Sequence, residues 1–222
     1  MKKNRNLEYY SNEKVLKPSY YVQRELDLIL AEIKKSGSAS VVDFGAGAGR
    51  LAIEMLRNGY SVSAVEIDRD AIKKLDENAK KIGLEKRLKI TKNLRGRVYI
   101  IAGTDVLHHL DLDVYLPLFH KHLLPKGRII FSEPNPLNIF WWFFIFLFAD
   151  FQEEFGIKNC SYFSLKKRLM NSGYRKIAIK GLYLLPPQLI FNFKFLERIN
   201  RRLGENLFLK FFAFRFIVTA EK

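Results

Sequence analysis

The sequence holds a single cysteine, Cys160. One thiol cannot close an internal disulfide or build a thiolate cluster. The four histidines show no Cys/His metal-ligand spacing, and no G-x-S-x-G nucleophile elbow occurs, so no metal and no serine-hydrolase chemistry is expected. Acidic residues are few: 23 against 38 Lys and Arg leave a net charge of +15. Such a field favours an anionic membrane face, nucleic acid or an acidic substrate, and it equally describes a solvated lysine-rich surface. No apolar run reaches the ~20 residues that span a bilayer. The run from Leu137 to Phe148, LNIFWWFFIFLF, is twelve residues long and closes at Ala149-Asp150, so it is either buried or interfacial. The basic start Met1-Lys2-Lys3-Asn4-Arg5 is followed by no apolar stretch. That leaves no signal peptide and, with the missing disulfides, an expected cytoplasmic location, peripheral at the inner membrane face if the apolar run is interfacial. Internal repeats and low-complexity linkers are absent as well.

What is present suits one globular domain over residues 1–222: 48% hydrophobic and 14% aromatic residues can bury a substantial core. Residues 1–36 read as a helical extension, with Val22, Leu26, Ile29 and Ile33 at helical spacing and a break at Ser36-Gly37-Ser38. Short apolar strands are expected at 41–44, 61–65, 88–91, 98–102, 128–132, 175–183 and 212–220. Helices are expected at 51–56, 70–82 (N-capped by Asp68, with Gly83 just past its end), 116–124 and 164–171. Strands alternating with helices predict a mostly parallel sheet. Residues 134–163 form an apolar insertion or lid, and 184–210 a basic amphipathic segment.

The strongest local signal is VVDFGAGAGR, Val41 to Arg50. A strand ends, glycines permit a tight turn and close backbone approach, and a helix begins with free N–H groups. The dinucleotide form of this device, G-x-G-x-x-G, receives a pyrophosphate. Here the spacing is G-x-G-x-G at Gly45, Gly47 and Gly49, and Arg50 stands where the dinucleotide pattern needs glycine. Asp43, just before the loop, would repel a pyrophosphate but tolerates a cationic ligand. Glu66 ends the next strand, 21 residues after Gly45, where a carboxylate accepts from ribose hydroxyls. Together these point to a nucleoside ligand that carries positive charge.

On these residues the chain resembles the class I S-adenosylmethionine (SAM)-dependent methyltransferases, over nearly all of Val41 to Lys222. VVDFGAGAGR resembles their first motif, and SAVEID (Ser63 to Asp68) the segment whose carboxylate holds the SAM ribose. YIIAGTDVLHHL (Tyr99 to Leu110) resembles the fourth-strand segment beneath the cofactor, and LLPKGRIIFSEPNP (Leu123 to Pro136) the turn and fifth strand. The likeness is strongest to the small-molecule branch that includes quinone-biosynthesis enzymes. It implies a Rossmann-like α/β fold, a mostly parallel seven-stranded sheet with helices on both faces. It also implies SAM as cofactor, held by Asp43, Phe44, Gly45, Ala46, Gly47, Gly49, Glu66, Ile67, Ala102 and Thr104. The segment after the third strand, Ile90 to Arg95, departs from the family in lacking the carboxylate that contacts adenine; Asn93 is a substitute there. The N-terminal Tyr9, Tyr10, Tyr20 and Tyr21 are candidates to close over the cofactor.

Methyl transfer from a sulfonium is an in-line displacement, and an oxygen or nitrogen acceptor also needs a base. His109 is the first candidate and His108 the second, with Asp105 and Glu133 nearby; both histidines can equally pack or cap a helix start. His120 and His122 read as solvated. The acceptor is a small molecule, and the insertion, with seven aromatics in residues 139–148, suits a lipid-like or lipid-linked one. Phe195, Leu196, Ile199 and Leu203 fall on one side of a helix, with Lys194, Arg198, Arg201 and Arg202 on the other, which suits an anionic membrane surface. Nucleic acid is not expected as the acceptor, because the Asn/Asp-Pro-Pro-aromatic motif of amino-methyltransferases is missing after the fourth strand. The alternatives are a non-catalytic SAM-binding or membrane-associated scaffold and a nicotinamide oxidoreductase. The sequence leaves the oligomeric state open.

Overall fold

The computed structural model describes residues 12–148, 154–187 and 194–222. Tyr9, Tyr10, Asp150 and the end of the 184–191 stretch lie outside these. Helices α1 (Asn12–Leu16) and α2 (Tyr20–Lys34) build the N-terminal extension. Leu26, Ile29 and Ile33, at i, i+3 and i+7, form the buried stripe of α2. Strand–helix alternation follows: β1 (Ser40–Phe44), α3 (Arg50–Arg57), β2 (Ser61–Val65), α4 (Arg69–Lys81), β3 (Leu88–Thr91) and β4 (Val98–Thr104). Next come α5 (Leu112–His122), β5 (Leu123–Pro134), α6 (Ile139–Phe148), α7 (Tyr162–Asn171), β6 (Arg175–Leu182), α8 (Lys194–Glu205) and β7 (Arg215–Glu221).

The seven strands form one mixed, mostly parallel sheet in the order β3-β2-β1-β4-β5-β7-β6, the Rossmann-like arrangement the sequence leads one to expect. β1 runs parallel to β2 and β4, and β2 parallel to β3, whereas β6 and β7 are antiparallel. Four consecutive residues of β1, Val41 to Phe44, are buried, as befits a parallel strand covered on both faces.

By packing, the chain divides into two compact units: residues 1–104, 121–130 and 222, and residues 105–120 and 131–221. The first has its core in Val41, Val42, Ala64, Ile100, Ile101, Leu51, Ile53 and Leu75. The second centres on Leu107, Leu116, Phe119, Phe131, Leu165, Phe216 and Val218, with the Phe119 and Phe131 rings stacked at 5.7 Å.

Several boundaries differ from the sequence reading. The helix expected to reach Leu124 ends at His122, and β5 already includes Pro125-Lys126-Gly127, with Lys126 in the left-handed region at φ 62°. A locally turn-like tripeptide is thus absorbed by strand pairing. The last strand begins at Arg215 rather than Phe212, because Leu209–Phe212 winds into a 3₁₀ turn. His120 and His122 are half-buried rather than solvated. The first meets Tyr174 edge-on at 5.1 Å, and Nδ1 of the second lies 2.6 Å from the Gly96 carbonyl.

Candidate active site

All ten residues expected to hold a cofactor fall in the first unit. The loop after β1 carries three glycines in the left-handed region, Gly45 (φ 69°), Gly47 (φ 54°) and Gly49 (φ 99°). At Gly49 the geometry demands glycine twice over. Its φ costs an L-residue ~1–2 kcal/mol, and an added Cβ would stand 2.5 Å from Leu75 Cδ1. The loop is sewn to the end of β2: Gly45 N and Ala46 N donate to the Val65 carbonyl at 2.9 and 3.2 Å. Phe44 and Ala46 are buried. Ala102 pairs in register with Asp43 on β4 and is fully buried, while Thr104 is half-buried at the strand's end.

Glu66 clamps the loop from β2. One carboxylate oxygen accepts from Gly47 N at 2.7 Å, and the other accepts from Ile67 N (2.7 Å) and Asp68 N (2.9 Å). Asp68 then caps α4 by accepting from Ala71 N at 2.7 Å, as its sequence position predicted. Ile67 is 74% exposed directly beside this carboxylate. Asp43 is 1% exposed, and among the described residues its Oδ2 has no hydrogen-bond partner. Burial pushes its pKa up to about 8, against a backbone hydrogen bond from Ala52 and the charge of Arg50; the Glu66 charge adds to the rise.

Sequence reasoning missed Asn78. This fully buried α4 side chain donates to the Ala48 carbonyl at 3.0 Å and fixes the far side of the loop. Its signal was faint: an amide on the inward stripe of an otherwise charged helix. Asn93 is exposed, and its carbonyl accepts from Thr91 Oγ1 at 3.1 Å. Tyr20 is exposed and Tyr21 half-buried on α2.

The two histidines lie in the second unit, on a 3₁₀ turn, Leu107–His109, that follows Asp105. Asp105 adopts φ 54°, a conformation Asp tolerates better than most residues. It is held there by Arg215 and by its own N–H, which donates to the Ser132 carbonyl at 2.9 Å. Glu133, fully buried at the end of β5, organises the turn. One oxygen accepts from Val106 N (2.9 Å) and Leu107 N (2.8 Å), and the other meets His108 Nδ1 at 2.7 Å. His108 Nε2 lies 3.3 Å from Glu154.

Burial opposes charge on His108, but the bonds to Glu133 and Glu154 outweigh it and raise its pKa to about 10. His109, its ring 4.0 Å from that of His108, is held below the ordinary value by desolvation first and then by the His108 charge. Protonation is thus favoured on His108 and disfavoured on His109. Ligand atoms of His108, His109 and Glu154 lie within 4.8 Å of one another. Gly156 packs onto the turn so closely that a Cβ there would sit 1.8 Å from the His108 carbonyl oxygen. The segment it belongs to, Phe155–Cys160, is a further 3₁₀ turn ending in the fully buried Cys160.

A family profile described as a methyltransferase domain matches residues 16–179, about three quarters of the chain. The chain belongs to the SAM-dependent methyltransferase family. Solved structures agree on the fold. A SAM-dependent methyltransferase from Archaeoglobus fulgidus superposes with a TM-score of 0.65 at 18% identity, covering 96% of this chain and 99% of that one. Magnesium protoporphyrin IX methyltransferase from Synechocystis, with bound S-adenosylhomocysteine, gives 0.59 at 15% identity over 90% and 83%. Phosphoethanolamine N-methyltransferase 2 of Haemonchus contortus, with SAM, gives 0.62 at 14% identity over 98% and 59%. No curated protein matches in sequence.

The first unit of this methyltransferase fits SAM on its own residues. Among the described residues, Asp43 Oδ2 is buried without a partner, the surroundings of Gly47 leave open space where a Cβ would be, and Ile67 offers an uncovered apolar side chain beside Glu66.

Proposed function

We propose that the chain works as one methyltransferase domain that transfers the methyl group of SAM to a lipid-like or lipid-linked small molecule. It would do so in the cytoplasm, at the inner membrane face. When bound, SAM supplies an electrophilic methyl on a sulfonium. The observation that carries the reading is the glycine loop held between Glu66 and Asn78, with the buried Asp43 behind it. In this reading Glu66 accepts from the ribose hydroxyls, Ile67 packs on the adenine and Asp43 faces the cationic end. Gly45, Ala46, Gly47 and Gly49 let the backbone approach, with Phe44, Ala102 and Thr104 beneath.

His109, kept neutral, takes the proton from the acceptor as its nucleophile attacks. His108 acts through it, holding the turn in place by its pairing with Glu133. Placement of a base in this way contributes typically 10²–10⁴-fold. Exposed Ile139, Phe143 and Phe146 on α6 supply an apolar surface for the acceptor. The acceptor chemistry belongs with the small-molecule branch of the family, quinone-type acceptors among them.

Calorimetric titration with SAM and with S-adenosylhomocysteine tests the reading. Glu66→Ala is expected to weaken both about tenfold or more, ~1.4 kcal/mol. Folded wild-type protein that binds neither ligand sinks it and leaves the scaffold reading standing. His109→Ala that binds SAM normally and turns over at the wild-type rate removes His109 from the mechanism.

A further inference from the structure

Helix α8 is inside out. Its buried side is polar: Glu197, Asn200 and Gly204, at i, i+3 and i+7, face inward, and Asn200 is only 3% exposed. Asn200 Oδ1 accepts from Leu184 N (3.0 Å) and Leu185 N (2.7 Å), while its Nδ2 donates to the Leu185 carbonyl at 2.9 Å. Glu197 accepts from the Tyr183 hydroxyl at 3.2 Å. Two glycines bring the helix onto bare backbone: a Cβ on Gly204 would stand 2.5 Å from Tyr183 N, and one on Gly181 would stand 2.1 Å from Gly204 O.

The apolar side points away. Phe195 is 71% exposed, and Leu196, Ile199 and Leu203 are exposed with it. The stripe continues past the helix into Leu207 and Phe208 (78% exposed), then Phe212. The start of α6 adjoins it, because Asn138 Nδ2 donates to the Leu184 and Phe212 carbonyls at 2.8 Å each. Soluble helices put their apolar face on the core; this one is anchored by hydrogen bonds and leaves its apolar face to something else.

Arg198 and Arg202, one helical turn apart, are exposed along the edge of that stripe. Of the two acids of the same helix, Glu197 is buried against the Tyr183 hydroxyl and Glu205 is paired with Arg201 at 3.1 Å. An apolar stripe edged by arginines, on a chain of charge +15, is complementary to a surface that is apolar below and anionic above. A second copy of the chain would bring +15 against +15.

We infer that α8 and the 207–212 segment seat the enzyme on an anionic lipid bilayer, with Phe195, Ile199, Leu203 and Phe208 in the acyl region and Arg198 and Arg202 at the phosphates. This rests on the lipid-facing reading above but is tested apart from it, by partitioning rather than turnover. The experiment is co-sedimentation with phosphatidylglycerol-containing vesicles and with pure phosphatidylcholine vesicles, at low and high salt.

Wild type is expected to sediment with the anionic vesicles alone and to be released by salt. Each arginine near the surface is worth about fivefold in partitioning, so Arg198→Gln with Arg202→Gln is expected to weaken it about 25-fold. Phe195→Asp with Ile199→Asp is expected to abolish it while the circular dichroism spectrum and SAM titration stay as in wild type; Leu203→Ser with Phe208→Ser serves as an independent pair. Absence of wild-type binding at low salt overturns the inference, and so does binding that survives both apolar pairs. A dimer that the same pairs convert to monomer, without vesicle binding, also overturns it and assigns the face to a second copy.

Discussion

Asp43, on β1, and Glu133, on β5, are both withdrawn from water, and the protein treats them in opposite ways. Asp43 keeps an oxygen without a donor among the described residues, and burial pushes its pKa up to about 8. Glu133 receives two backbone N–H groups and an imidazole, and it is the imidazole that is charged, to about pH 10. Burial alone therefore decides little. The count of donors around a carboxylate decides whether it holds an ion pair or keeps its proton.

The most forceful way to break this contrast is Glu133→Ala. It leaves the His108 cation and two N–H groups buried without their acceptor, and a loss of about 3–5 kcal/mol is expected in urea unfolding. Glu133→Gln, which keeps one acceptor, should lose less. A pH series sharpens the contrast next. In both cases the folded state takes up a proton, so the stability each group contributes is complete below its unfolded pKa and drains away as pH climbs to the folded one. For His108 the drain runs from 6.5 to about 10, and for Asp43 from 3.8 to about 8.

Each titrating group gives a slope of up to ~1.4 kcal/mol per pH unit within its window. His108→Gln should flatten the alkaline window, and Asp43→Asn, which needs no proton to be neutral, the acidic one. An Asp43→Asn protein with the wild-type slope between pH 4 and 8 refutes the assignment. The proposed placement of Asp43 at the cationic end of the cofactor predicts proton-linked binding: SAM titrations near pH 7, run in buffers of different ionisation enthalpy, are expected to show proton release that Asp43→Asn lacks. The smallest effect is Asn78→Ala, which removes one buried bond to the loop and should cost about 1 kcal/mol in thermal unfolding while weakening SAM binding.

The glycine loop was legible because its signals are local. Gly45, Gly47 and Gly49 announce a left-handed loop, Glu66 follows at the end of the next strand, and Asp68 caps α4 where a cap should be. What could not be read depends on partners distant in sequence. Nothing in V-L-H-H-L reveals that Glu133, 25 residues on, pairs with His108 and raises its pKa. Periodicity separated Phe195, Leu196, Ile199 and Leu203 from the arginines of α8, but it carries no sign. Which side faces the protein is set by Asn200 and by the glycines at 181 and 204, and they turn the usual order around. The end of α5 failed for a related reason: Pro125-Lys126-Gly127 is a turn by composition and a strand by pairing.

Cys160 is fully buried, and desolvation, with the nearby Glu133 charge, holds its thiol well above the ordinary value. A thiol in that state is inert to disulfide reagents until its surroundings open. Since the chain has no other cysteine, every molecule carries one chemical clock, set inside the histidine-bearing unit and nowhere near the glycine loop in sequence. Its modification rate, compared with that of the unfolded chain, reads the free energy of local opening directly. A ligand that slows this clock without shifting global unfolding would reveal which half of the enzyme it steadies.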